Sequence, residues 1–321
     1  MSIVLSHSTA RAFHDLPNAP RDLPSFPGHA APLQNGAPSK QLVADARGAL
    51  AALGLDLDAP VHVIVGERGQ RRQMDGLVCH LHTNPLPAGS LLRLGEDVFV
   101  CDIRLCAMQA ATYLPELEFI EYLYQVCGAY VPPDSARSEL LEREPPTTIE
   151  ELRRYAEKAG RAPGSKALKR ALSWVRNGTR SPMETAFIML LALPKHMGGL
   201  GIRSLKVNYR VDVTQIARPL TRRACFYFDA YIPATNTDLE YNGFYHNESV
   251  QRAIDEERHN ALSSMGYNIL DVSKHSLLDR ASFVRCMKKI MRLAEVRPSR
   301  LPADFAQNQE VLRRFVLRRW L

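Results

Sequence analysis

The sequence predicts an α/β protein of two domains, the second built as a mixed sheet flanked by helices. Three observations predict it. A chain of 321 residues is long for one compact domain and suits two. From residue 181 the hydrophobic pattern runs helix, three strands, helix, strand, helix. The charge also changes sign: residues 1–150 carry 11 Lys and Arg against 18 Asp and Glu, whereas residues 151–321 carry 30 against 16.

The elements follow in order. Residues 6–14 read as a short helix that runs into a loop from Pro17 to Pro38 with six prolines, too poor in apolar residues for a core. Leu42, Val43, Ala46, Leu50 and Leu53 recur at helical spacing over 40–53. Val61–Val65 is a strand, residues 66–73 a basic turn, and 77–82 a partner strand. Val98–Val100 is a further strand, and 102–127 is helical, ending near Gly128. Residues 1–134 are therefore a small α/β domain. Proline pairs at 132–133 and 145–146 break the pattern, and two basic helices at 148–159 and 165–175 make 135–180 a helical connector.

The second domain, 181–295, opens with a helix at 182–193. Strands follow at about 205–216, 224–231 and 237–242, then a helix at 248–264, a strand at 267–272 and a helix at 278–293. Residues 296–321 hold a basic terminal helix over about 308–320, with Arg313, Arg314, Arg318 and Arg319 read as phosphate contacts or as a solvated face.

Composition excludes some classes. No apolar run of about 18 residues spans a membrane. The six cysteines form no C-x-x-C pair and no zinc-finger spacing, which fits reduced thiols in a cytoplasm. The basic half points to a polyanion, nucleic acid above all, because clustered Lys and Arg displace counterions from phosphates.

The chemistry concentrates between 181 and 246. Ser181-Pro182-Met183-Glu184 has the residue order of a capping box, which leaves Glu184 free to aim at a site as well. Cys225 to Asp229 is an aromatic strand closing on a carboxylate. Alternation in the next strand puts Asp238, Glu240 and Asn242 on one face and Leu239 and Tyr241 on the other. Carboxylates on adjacent strands suit Mg²⁺, which takes one or two of them and keeps its waters. Without a cation they repel one another and hold their protons.

In this order the motifs resemble the very-short-patch-repair endonuclease-like branch of the PD-(D/E)XK superfamily. That branch reads S-x-x-E at a helix start, a strand ending in Asp, then E-x-D-G and a histidine. The matching residues are Ser181 to Glu184, Phe228-Asp229, Glu240 to Gly243 and Phe244-Tyr245-His246, with the helix from Gln251 to Arg258, Leu262 and Gly266-Tyr267 following. The resemblance covers a little over a third of the chain and implies a restriction-endonuclease-like core. It also implies an Mg²⁺- or Mn²⁺-dependent DNA endonuclease of bacterial defence. Asp229, Glu240 and Glu184 would hold the metal, and Asn242 and His246 would complete the catalytic set. Asn242 stands where that branch has Asp, and a neutral amide cannot act as a general base.

His7 to Ala10, the strand Val61–Val65, Arg68 to Arg72 and Leu77 to His82 resemble the domain of type IV abortive-infection antitoxins and related transcriptional regulators. No winged helix precedes it in this sequence, so the expectation is that this family's usual DNA reader is absent. The resemblance implies a protein partner for the acidic half. It also implies a second reading of the whole chain: a non-catalytic antitoxin or regulator with a degenerate nuclease fold, binding DNA or a toxin.

Overall fold

The computed structural model describes residues 2–26, 36–132, 140–242 and 249–321. It is mixed α/β, with eleven α-helices and two mixed sheets among the described residues. The chain divides into two compact units, Met1–Ser173 and Trp174–Leu321. No helix among the described residues is long and apolar enough to cross a membrane.

The first unit is organised around a strand too short to show any periodicity. β1 (Ile3–Leu5) is wholly buried and sits at the centre of a five-stranded sheet. After it come α1 (His7–His14) and α2 (Lys40–Ala51), whose Leu42, Val43, Ala46 and Leu50 are buried as their spacing requires. The other strands are β2 (Val61–Val65), β3 (Leu77–Leu81), β4 (Leu91–Arg93) and β5 (Val98–Cys101), and the order is β3-β2-β1-β5-β4. β1 runs parallel to β5 and antiparallel to β2, while β2 and β3 are parallel.

The stretch read as one helix after residue 102 is two, α3 (Ile103–Ala110) and α4 (Glu116–Val126). The break has a local cause, since Pro115 stands at the N-cap of α4. A short ribbon follows, β6 (Tyr130–Val131) with β7 (Leu141–Glu142). α5 (Ile149–Lys158) starts on a full capping box between Thr148 and Glu151. The boundary at 173/174 places α5 and α6 (Ser165–Ala171), expected as a connector, in the first unit, where both pack on α3. Gly164 fixes that packing: at φ +85° it would bring a Cβ to 2.0 Å from the Met108 carbonyl oxygen.

The second unit keeps the element order read from the sequence. α7 (Pro182–Ala192) is buried along most of its length. β8 (Lys206–Asp212), β9 (Cys225–Ile232) and β10 (Thr237–Asn242) lead to α8 (Ser249–Ser264) and β11 (Asn268–Ser273). The sheet order is β11-β10-β9-β8, with β10 parallel to β11 and antiparallel to β9. Ala261 and Leu262 of α8 pack with Phe226 and Phe228 of β9 and Val211 of β8. α9 (Lys274–Leu278), α10 (Arg280–Leu293) and α11 (Phe305–Val316) complete the unit, and α11 packs on α7.

The terminal helix corrects one expectation. Arg313 is 4% exposed and donates to the carbonyls of Leu277 and Leu278, closing the C-terminal end of α9. It is a structural cap, not a phosphate contact. Arg314 pairs with Glu310 at 2.8 Å and stays largely exposed.

Candidate functional site

Glu184 is placed by the helix start that the sequence announces. Ser181 Oγ accepts from the Glu184 backbone N–H at 3.0 Å, and Pro182 opens the helix. The reciprocal half of the box is different: the Glu184 carboxylate accepts from the Arg180 N–H at 2.9 Å instead of from Ser181. That one-residue offset leaves the carboxyl group largely buried beside Asp229. Burial lifts its pKa to about 7, the Asp229 charge adds to the rise, and the Arg180 N–H opposes it.

Asp229 sits where β9 loses its regular ladder on both sides. The pairing with β10 runs through Thr237, Asp238 and Leu239 and stops opposite Ala230. Beyond that point the Tyr241 N–H donates to Asp229 Oδ2 at 2.9 Å, so a side chain replaces the backbone partner. On the other edge the register with β8 passes from Val207↔Ala230 to Tyr209↔Phe228, and Asn208 between them has φ +49°. The Asp229 pKa is raised, chiefly by burial, against the hydrogen bond from Tyr241 and the charges of Arg258 and Arg180.

Asp238 and Arg258 are the residues that sequence reasoning left out of the site. Asp238 is fully buried, and neither carboxylate oxygen has a hydrogen-bond partner. Arg258 of α8 approaches it at 3.5 Å, bonds the Glu240 carboxylate, and donates to the Tyr227 carbonyl at 2.8 Å. The same guanidinium lies over the Phe226 ring, 5.4 Å from its centroid. Burial raises the Asp238 pKa well above the carboxylate range. Arg258 opposes that rise, and Asp229 and Asp271 reinforce it. Alternation put Asp238 on the face of Glu240, and the resemblance included Arg258, but neither names a partner across 20 residues.

Asn242 donates to Asp271 Oδ1 at 2.9 Å from the end of β10. Glu240 is engaged by Arg258. His246 lies outside the described residues. Asp229 and Glu184 are brought together, as are Asp238, Glu240 and Arg258, and Asp229 and Asp238 interact electrostatically.

Among the described residues no group of three His, Cys, Asp or Glu side chains is arranged to hold a metal ion. Glu184, Asp229 and Asp238 are carboxyls in a neighbourhood short of positive charge, with Arg258 and Arg180 the cations that face them.

No family model, curated protein or solved structure matches the chain.

Proposed function

We propose that the second unit is a PD-(D/E)XK-type nuclease-like domain that binds DNA and hydrolyses a phosphodiester with Mg²⁺ or Mn²⁺, in a bacterial defence setting. One observation carries this reading. Carboxyls from α7, β9 and β10 gather with pKa values above their ordinary range, in a unit (174–321) where 23 Lys and Arg face 14 Asp and Glu. A buried acidic cluster in a basic protein fits a site that takes a cation together with a polyanion. The order of elements, helix, three strands, helix, strand, supports it as well.

Glu184, Asp229 and Glu240 would hold the cation, which supplies charge neutralisation at the phosphate and a more acidic water. For Glu240 to take part, Arg258 must release it, and a guanidinium freed beside the phosphate can bind a phosphate oxygen. Asn242 can orient a water molecule but takes no proton at neutral pH, so the chain offers no base at that position.

The test is cleavage by the purified full chain with Mg²⁺ or Mn²⁺ on single-stranded, double-stranded and mismatched DNA. Asp229→Ala and Glu240→Ala should each abolish cleavage and keep DNA binding. If the parent cuts none of these substrates, the catalytic reading fails.

Asn242 and the Arg258–Glu240 pair favour a second reading, a non-catalytic antitoxin or regulator on a nuclease-like fold. DNA or toxin binding that needs no divalent cation, with no cleavage, would establish it.

A further inference from the structure

The first unit contains a cleft of about 320 Å³ between the loop after α1 and the segment leading into α5. Its walls include the rigid rings of Pro17, Pro20, Pro145 and Pro146 together with Leu92. Three arginines line it, and they are not equivalent. Arg104 is committed: it pairs with Asp102 and donates to the Gly89 carbonyl at 3.0 Å. Two carboxylates also line the cleft: Asp102, held by Arg104, and Glu151, which accepts from Thr147 Oγ1 at 2.9 Å and the Thr148 N–H at 3.2 Å.

Arg143 is left over. It donates to the carbonyls of His14 and Gln125 at 3.4 and 3.2 Å, and its Nε is buried with no partner. Burial lowers the Arg143 pKa, and the repulsion of Arg21 adds less to that than the attraction of Asp15 takes away. Asp15 draws it the other way, but pairs with Arg11 at 3.6 Å and does not line the cleft. Arg143 is half-buried with Arg21 beside it, and among the described residues no carboxylate bonds it directly, so an anion entering the cleft would meet two guanidiniums.

We propose that this cleft binds the phosphate group of a small organic phosphate of nucleotide size, with Arg143 and Arg21 as its two cationic ligands. Arg143, Arg21 and Arg104 outnumber the lining carboxylates Asp102 and Glu151, and a guanidinium fork suits a phosphate. The volume lies at the lower end of small-molecule pockets, which run from roughly 300 to 1,000 Å³. The proline-rich walls supply apolar surface for the organic part.

The experiment uses the full chain and three probes: inorganic phosphate, adenosine monophosphate and adenosine, read by calorimetry and thermal shift. The two phosphates should bind and stabilise, and adenosine should not. Arg21→Gln changes an exposed side chain in a loop and should weaken adenosine monophosphate about tenfold or more. Arg143→Lys keeps a charge but loses Nε, and should weaken binding by at least as much. The His14 ring is a separate readout. It bonds the Cys101 carbonyl at 2.8 Å, and the Arg143 charge contributes to its low pKa, so a bound phosphate should raise its apparent pKa by NMR. No response to either phosphate overturns the proposal. So does a response that Arg21→Gln leaves unchanged, because the phosphate is then held by basic residues elsewhere. Equal binding of adenosine would show an apolar site and would overturn it too.

Discussion

Among the described residues, Arg143 of the first unit has a buried Nε with no hydrogen-bond acceptor, whereas Asp238 of the second unit has two buried oxygens with no hydrogen-bond donor. The two halves are mirror cases set against their own surroundings. The acidic half of the sequence holds a cation that hydrogen-bonds only to carbonyls among the described residues, and the basic half hides a surplus of carboxyls. Net charge along a chain reports the solvated surface, and burial acts on single groups, so the sign of a surface does not fix the sign of a site. The halves also differ in how far each deficit is met. Arg258 reaches Asp238, Glu240 and the Tyr227 carbonyl, so the acidic cluster is partly neutralised, while Arg143 has only carbonyl partners among the described residues.

The sharpest way to break that comparison is to remove each arginine. Arg258→Met strips the acids of the cation closest to them, and should cost about 3–5 kcal/mol at neutral pH in chemical denaturation. Arg143→Met removes a charge that, among the described residues, hydrogen-bonds only to carbonyls, and the change should stay under about 1.5 kcal/mol. Equal losses would mean that Arg143 has a partner equivalent to Asp238.

Next in size come two glycines that test each unit separately. At Gly164 an added Cβ would meet the Met108 carbonyl oxygen at 2.0 Å, and at Gly198 the Asn308 carbonyl oxygen at 2.3 Å, both at positive φ. Alanine at either position should destabilise its own unit by about 2–3 kcal/mol. Hydrogen exchange would show which unit loosens.

A smaller effect sharpens the electrostatic half of the comparison. Glu184 has a folded pKa of about 7 against an ordinary 4.5, so the folded state holds the proton more tightly than the unfolded state. Its contribution to stability is complete below pH 4.5 and is lost as pH rises through about 7. Glu184→Gln should match the parent at pH 4 and exceed it by about 2 kcal/mol at pH 8. Added Mn²⁺ should close that gap by stabilising the parent alone. A gap that stays constant with pH would place the carboxyl in water. The mildest test is salt: DNA affinity should fall log-linearly with salt concentration, by about 0.9 in slope per phosphate neutralised, and a flat response would leave the basic half as solvated surface.

Part of the site was legible because it is local. Ser181, Pro182 and Glu184 announce a helix start through chemistry contained in four residues, and the structure places Ser181 at its N-cap. Asp229 at an aromatic strand and Glu240 on the next strand follow from alternation. The offset that sends the Glu184 carboxylate to the Arg180 N–H was not legible, since it depends on how the preceding turn packs. β1 was unreadable for another reason: three apolar residues carry no period, and their role comes from pairing with β2 and β5, which begin 58 and 95 residues after Ile3. Arg313 was misread because type suggested exposure, whereas position buried it over Phe283 and against the end of α9.

The sequence by itself determined the order of helices and strands in the second unit, the helix start that fixes Glu184, and the charge of each half. These are properties of neighbouring residues, set by capping, alternation and solvation. Only the tertiary structure decided which buried charges go unmet, because a deficit belongs to no residue alone. Asp238 is short of donors because α8 brings it one arginine, at 3.5 Å, and Arg143 is short of acceptors because the nearby carboxylates are already bonded to other groups.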